Sequence, residues 1–167
     1  MSIIDLGKQS LIYGAGHVLA RLITFLLLPL YTHTFTQEEY GALSLAYAFM
    51  GFALILYRYG MDTAMMKYSV QKQGPERKKY ITLIIVTQFI TSFLFTFIIY
   101  FTRLSTAEYV LGTYRPDWIS YLAVILFFDT LWNLPLLILR SEEKAIPYIL
   151  LSLLNVILTM ALNVMFV

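Results

Sequence analysis

Arg21 lies inside "GHVLARLITFLLLPLYT", the apolar run from Gly16 to Thr32. A helix through this run puts Arg21 about ten residues from either end, roughly 15 Å from each surface of a hydrocarbon core about 30 Å thick. Its side chain cannot snorkel that far. An arginine at a helix centre costs about 2.5–3.5 kcal/mol on insertion scales, against about 0.3–0.6 kcal/mol recovered per leucine. A charge kept at that cost has two roles open to it. It serves an aqueous cavity or an anionic substrate, or it is satisfied by carbonyls or a carboxylate within a bundle. Ser10, Gly14, His17 and Thr24 recur with Arg21 at intervals of three and four, so the five share one helical stripe. His17 and Thr24 are thereby candidates for the same cavity, although a packed polar residue is the plainer role for the histidine.

A second intramembrane charge is Asp129 in "LFFDTLWNLP", with Asn133 one turn on. It is a candidate for proton or sodium coupling, and equally for a resting ion-pair partner of Arg21. Arg58 and Asp62 in "YRYGMDTAMMKY" are four apart and are expected to form a structural ion pair near the cytoplasmic end of their helix. Asn155 and Asn163, with Ser152 and Thr159, make one polar side of the last apolar run. Asparagine against lipid is costly, so this side is expected to face other helices. Gly41, Ser44, Ala48 and Gly51 form a stripe of small residues and are expected to be a helix-packing face.

These residues need helices to carry them. Of the 167 residues 59% are hydrophobic and only 13% charged, with a mean hydropathy of +0.72, where a soluble domain has roughly 25% charged. The solvent is a bilayer. The apolar runs are Ser10–Tyr31, Gly41–Tyr57, Tyr80–Phe101, Trp118–Leu139 and Pro147–Val167, each near the length that spans the core. The expected fold is an all-α, polytopic integral membrane bundle forming a single domain over 1–167. Its helices are expected near 10–35, 41–66, 80–102, 118–139 and 147–167. The first run carries Arg21 and is not followed by a small-residue cleavage site, so it is read as a retained helix. The last ends without a charged flank, which reads as a truncated amino-terminal lobe.

Lysine and arginine set the orientation. Lys8, the cluster Lys67, Lys72, Arg77, Lys78 and Lys79, and then Arg140 with Lys144 fall at one set of alternating ends, while Arg103 and Arg115 fall at the other. The positive-inside bias places the amino terminus in the cytoplasm and makes the basic link a topogenic loop facing lipid headgroups. Nucleic acid is not an expected partner. Cysteine is absent, which excludes disulfides and thiolate metal sites. "YGAGHVL" lacks the third glycine and the preceding strand of a dinucleotide loop. His33, Glu38 and Glu39 lack metal-ligand spacing. No enzyme activity, cofactor or metal is expected.

Two stretches carry a family likeness. "LARLITFLLLPLYTHTFTQEEYGALSL" followed by "YRYGMDTAMMKYSV" resembles the opening of the Wzx-type polysaccharide-biosynthesis flippases, within the superfamily of multidrug, oligosaccharidyl-lipid and polysaccharide exporters. The resemblance falls on Arg21, Leu30 to Thr32, Glu39 to Gly41, Tyr59 to Asp62, and Lys67 with Tyr68, within roughly residues 10 to 70. It implies two six-helix lobes, alternating access, and a central cavity that carries a lipid-linked sugar pyrophosphate across the bacterial cytoplasmic (inner) membrane. Membrane lipids, a carboxy-terminal lobe and polysaccharide polymerase machinery are the partners it implies. His33 departs from the family, many members having arginine there. A midplane arginine suits a diphosphate headgroup. The alternatives are a multidrug or cation exporter of the same superfamily, for which Asp129 speaks, and a non-transporting membrane scaffold.

Overall fold

Apolar stretches interrupted by Gly60, Gly74–Pro75, Gly112 and the "RSEEKA" turn leave a chain in lipid no option but helix, since each backbone polar group must be satisfied within its own segment. The computed structural model describes residues 14, 18–19, 21–22, 25, 27–112 and 115–166. Among the described residues the regular elements are helices: α1 Leu27–Thr34, α2 Gln37–Arg58, α3 Met61–Gln71, α4 Gly74–Phe101, α5 Arg103–Leu111, α6 Pro116–Ser141 and α7 Ala145–Phe166. Helices α2, α4 and α6 are each long and apolar enough to cross a membrane, and α7 is apolar over Ala145–Ala161. The chain is a helical integral membrane protein.

Local signals set the boundaries. Thr36 and Glu39 form a reciprocal cap at the start of α2. Thr36 N and Oγ1 donate to Glu39 Oε2 at 3.0 and 2.9 Å, and Glu39 N donates to Thr36 Oγ1 at 3.4 Å. Pro75 occupies the first turn of α4, where its missing N–H costs nothing. Helix α5 stops at Gly112, whose φ of 62° lets its N–H close back on the Glu108 carbonyl at 3.2 Å. Lys72 and Glu76 pair at 3.0 Å across the α3–α4 turn, and the carboxylate holds the lysine ammonium above its usual pKa.

The chain divides into two units, Met1–Tyr40 with Leu139–Val167, and Gly41–Ile138. The second is built in three layers. At one end Ala46, Ala107, Leu111, Ile119 and Leu122 are buried together with Ile99 and Trp118. In the middle Ala53, Tyr57 and Leu126 pack with Phe95. At the other end Met65, Ile84, Leu134 and Leu137 pack with Met61 and Ile81. Lipid supplies no hydrophobic drive between helices, so close approach depends on small side chains. Here these are Ala46 and Ala53 on α2, Ala107 on α5 and Ala123 on α6, all 4% exposed or less. The expected stripe of Gly41, Ser44, Ala48 and Gly51 is instead exposed. Helix α2 carries small residues on two sides, and the side that includes Tyr57 is the one that packs.

The layers also revise the second crossing. The helix expected near 41–66 is divided between α2 and α3 at Tyr59–Gly60. Ala46 lies in the end layer and Tyr57 in the middle one, so Arg58 stands at the depth of the centres of α4 and α6. The 11 residues of α3 add about 16 Å, half the thickness of a hydrocarbon core. The helix is therefore discontinuous: α2 alone is long enough to span the core, and the break follows its last residue.

Candidate functional site

The break is built from "YRYGMD". Tyr59 and Gly60 both take positive φ, 26° and 87°. Glycine accepts this freely, whereas a tyrosine so placed stores strain on the order of 1–3 kcal/mol. Tyr59 N closes the last turn of α2 on Ile55 O at 2.9 Å, and Ala64 N opens α3 on Gly60 O at 3.1 Å. Between these two bonds the chain has left the helical ladder, and carbonyls at the end of α2 need other donors.

One of them finds a side chain. Gln88, halfway along α4 and wholly buried, donates Nε2 to the Tyr57 carbonyl at 2.5 Å and to Ser92 Oγ at 3.1 Å. Tyr57, 1% exposed, reaches the same helix with its hydroxyl, 3.0 Å from Thr96 Oγ1. Thr96 in turn donates to Ser92 O at 2.8 Å. On α6, Thr130 donates to Leu126 O at 2.7 Å. Gln88, Ser92 and Thr96 recur every four residues, which is the signal a reading of "TQFITSFLFT" for polar stripes would have caught.

Arg58, the last residue of α2, carries the charge. Its Nη2 donates to Asp129 Oδ2 at 3.0 Å, and its Nη1 lies 3.5 Å from Asp62 Oδ2 in the first turn of α3. One guanidinium at the end of α2 thus holds a carboxylate from across the break and another from α6. The pair expected at a helix end between Arg58 and Asp62 is present at 3.5 Å, at the end of α2, and is the longer of two. Asp129, expected as the resting partner of Arg21, is engaged by Arg58. The reason is topological: the break delivers Arg58 to the centre of α6, a juxtaposition across 71 residues that spacing cannot reveal.

Two buried polar atoms in this cluster have no partner: Arg58 Nε, a donor, and Gln88 Oε1, an acceptor. Each such vacancy costs about 1–3 kcal/mol. Pro135, a turn and a half beyond Asp129 within α6, removes the hydrogen bond that the Leu131 carbonyl would accept.

Arg21 is helical and exposed, Asn133 half-buried, and Asn155 exposed with Thr159 on α7. His17, Thr24 and the side chain of Asn163 lie outside the described residues. Among the described residues no group of three His, Asp or Glu side chains could hold a metal ion.

Over residues 6–167 the sequence matches the family model described as polysaccharide biosynthesis protein. Neither a curated protein nor a solved structure matches it.

Proposed function

The chain belongs to the polysaccharide biosynthesis protein family, and from that premise we propose that it moves a lipid-linked oligosaccharide across the bacterial inner membrane by alternating access. The observation that carries this reading is the discontinuity between α2 and α3 with Arg58, Asp62 and, from α6, Asp129 gathered at it. Irregular backbone at membrane depth is tolerated only where protein buries it or a cavity needs it, and transporters put such breaks at the bilayer midplane. A purely structural scaffold has no use for three ionisable groups there, since each is expensive to insert.

Arg58 and Asp129 are the candidate coupling elements. Proton or sodium binding at Asp129 would cancel its charge and release Arg58 to Asp62 alone, changing what holds α2 and α3 to α6. Arg21 is the candidate contact for the sugar pyrophosphate, a cation inside an apolar run facing a ligand that hydrocarbon excludes. Because the substrate is an anion on a lipid, the site must offer cationic donors without requiring the lipid tail to leave the membrane.

The deciding experiment reconstitutes the full chain in liposomes containing a fluorescent lipid-linked oligosaccharide pyrophosphate. Transbilayer movement is followed by protection from a membrane-impermeant quencher. Movement above that of protein-free liposomes, lost in Arg58→Ala, supports the reading. Extrusion of a lipophilic cation in the same liposomes without movement of the lipid-linked sugar would replace it with a cation exporter.

A further inference from the structure

The break at Tyr59–Gly60 needs something to hold it, because a continuous α-helix through residues 55 to 65 would relieve the positive φ of Tyr59 and restore the missing ladder bonds. Gln88 is the side chain placed to do so. It has no exposed surface, yet it brings a primary amide to the centre of a membrane bundle, where leucine would fill the same space without any polar group to satisfy. Its Nε2 occupies the Tyr57 carbonyl, the acceptor that Met61 N–H would take if the helix ran on. A carbonyl accepts two hydrogen bonds, so the Gln88 amide does not exclude Met61 N–H; it supplies the donor that Tyr57 O lacks while α2 and α3 are disjoined, and so favours the break. Without that amide the Tyr57 carbonyl of the broken conformation has no donor, which shifts the balance toward the continuous helix.

The two unpartnered atoms point the same way. Gln88 Oε1 is an acceptor without a donor, and Arg58 Nε is a donor without an acceptor. Both flank a single peptide, since Gln88 is bonded to the carbonyl of Tyr57 and Arg58 follows it directly. The cluster therefore contains one complementary pair that this conformation leaves unmade. Each unmade bond costs the cluster free energy in this arrangement, so a rearrangement that pairs the donor with the acceptor is favoured by what it recovers.

We infer that Gln88 is the positioning residue of a hinge in the second crossing. Its amide latches the break by capping Tyr57 O, and in the alternate conformation the latch passes to Arg58 Nε as α2 and α3 realign. The latch governs whether Arg58 is presented to Asp129. What the hinge is for rests on the transporter reading; that the hinge exists and that Gln88 latches it rests on the cap, the positive φ angles and the two open valences.

Spin labels at Phe52→Cys on α2 and Val70→Cys on α3 test this by electron–electron distance measurement in liposomes. Both positions are exposed, at 67% and 63%, and the chain has no cysteine of its own. The labelled parent should show one dominant distance. Gln88→Met, which keeps the volume and removes the amide, should raise a second distance population about tenfold. Gln88→Asn, one methylene short, should fall between them and carries the test if the Met variant does not fold. Gly60→Ala disturbs the turn directly and should raise the same second distance. An unchanged distribution in both Gln88 variants, with Gly60→Ala shifting it, overturns the latch. No shift in any variant overturns the hinge. Distances need no substrate, so a shifted distribution in a chain that moves no lipid-linked sugar leaves this inference standing and sinks the flippase reading alone.

Discussion

Arg58 Nη2 meets Asp129 Oδ2 at 3.0 Å while the nearer carboxylate in sequence, Asp62, stands off at 3.5 Å. The cross-helix partner is held more closely than the one four residues away. With the Arg58 side chain 32% and that of Asp129 40% exposed, solvent screening keeps the coupling between them to about 0.5–1 kcal/mol. A double-mutant cycle of Arg58→Ala and Asp129→Ala, read by thermal unfolding in detergent, measures it. The double variant should be less destabilised than the sum of the singles; strict additivity would show that the pair carries no energy.

Gly51 and Gly60 both have nothing within 4 Å of an added Cβ, but only Gly60 has positive φ, at +87°. Space is therefore not what separates them. Gly51→Ala should be neutral or stabilising by up to about 1 kcal/mol, and Gly60→Ala should destabilise by about 1–2 kcal/mol. Melting temperatures of the two variants, moving in the same direction, would contradict the conformational assignment.

Tyr57→Phe removes the hydroxyl that meets Thr96 while keeping the ring against Phe95, 5.6 Å away. Thr96 retains its bond to the Ser92 carbonyl, so no donor is stranded. The loss should be about 0.6 kcal/mol, the average for hydrogen bonds between membrane helices. A cost above about 2 kcal/mol in an unfolding titration would mean the hydroxyl has a further role.

Replacing Arg21 by alanine should abolish movement of the lipid-linked sugar without lowering membrane insertion, because removing the charge makes the helix easier to place. Lysine should restore only part of the activity, lacking the planar fork that grips two phosphate oxygens. Immunoblot level and transport rate are read side by side. An active Arg21→Ala chain excludes the substrate contact.

Orientation is tested by single cysteines at Gln73, Glu143, Gln37 and Glu108. The lysine and arginine asymmetry predicts the first two cytoplasmic and the last two outside. Labelling of Gln73→Cys by an impermeant maleimide in intact cells would reverse the topology.

Composition and hydropathy alone determined that this is a helical membrane protein, because a chain of 59% hydrophobic and 13% charged residues must satisfy its backbone inside lipid, and only helix does so segment by segment. The stretches around Arg21 and "YRYGMD" carried the family, later matched over 6–167. Glutamine, serine and threonine at four-residue spacing in α4 were equally open to reading. What spacing could not decide was which of two small-residue stripes on α2 packs, because Gly41, Ser44, Ala48 and Gly51 are as small as Ala46 and Ala53. Nor could it decide that Asp129 belongs to Arg58. Helical periodicity relates residues a turn apart, and the depth at which separate helices meet depends on how their side chains interlock. Tertiary packing set Tyr57 against Gln88 at the middle of α4, and that contact put the break, and the arginine beside it, against the centres of α4 and α6.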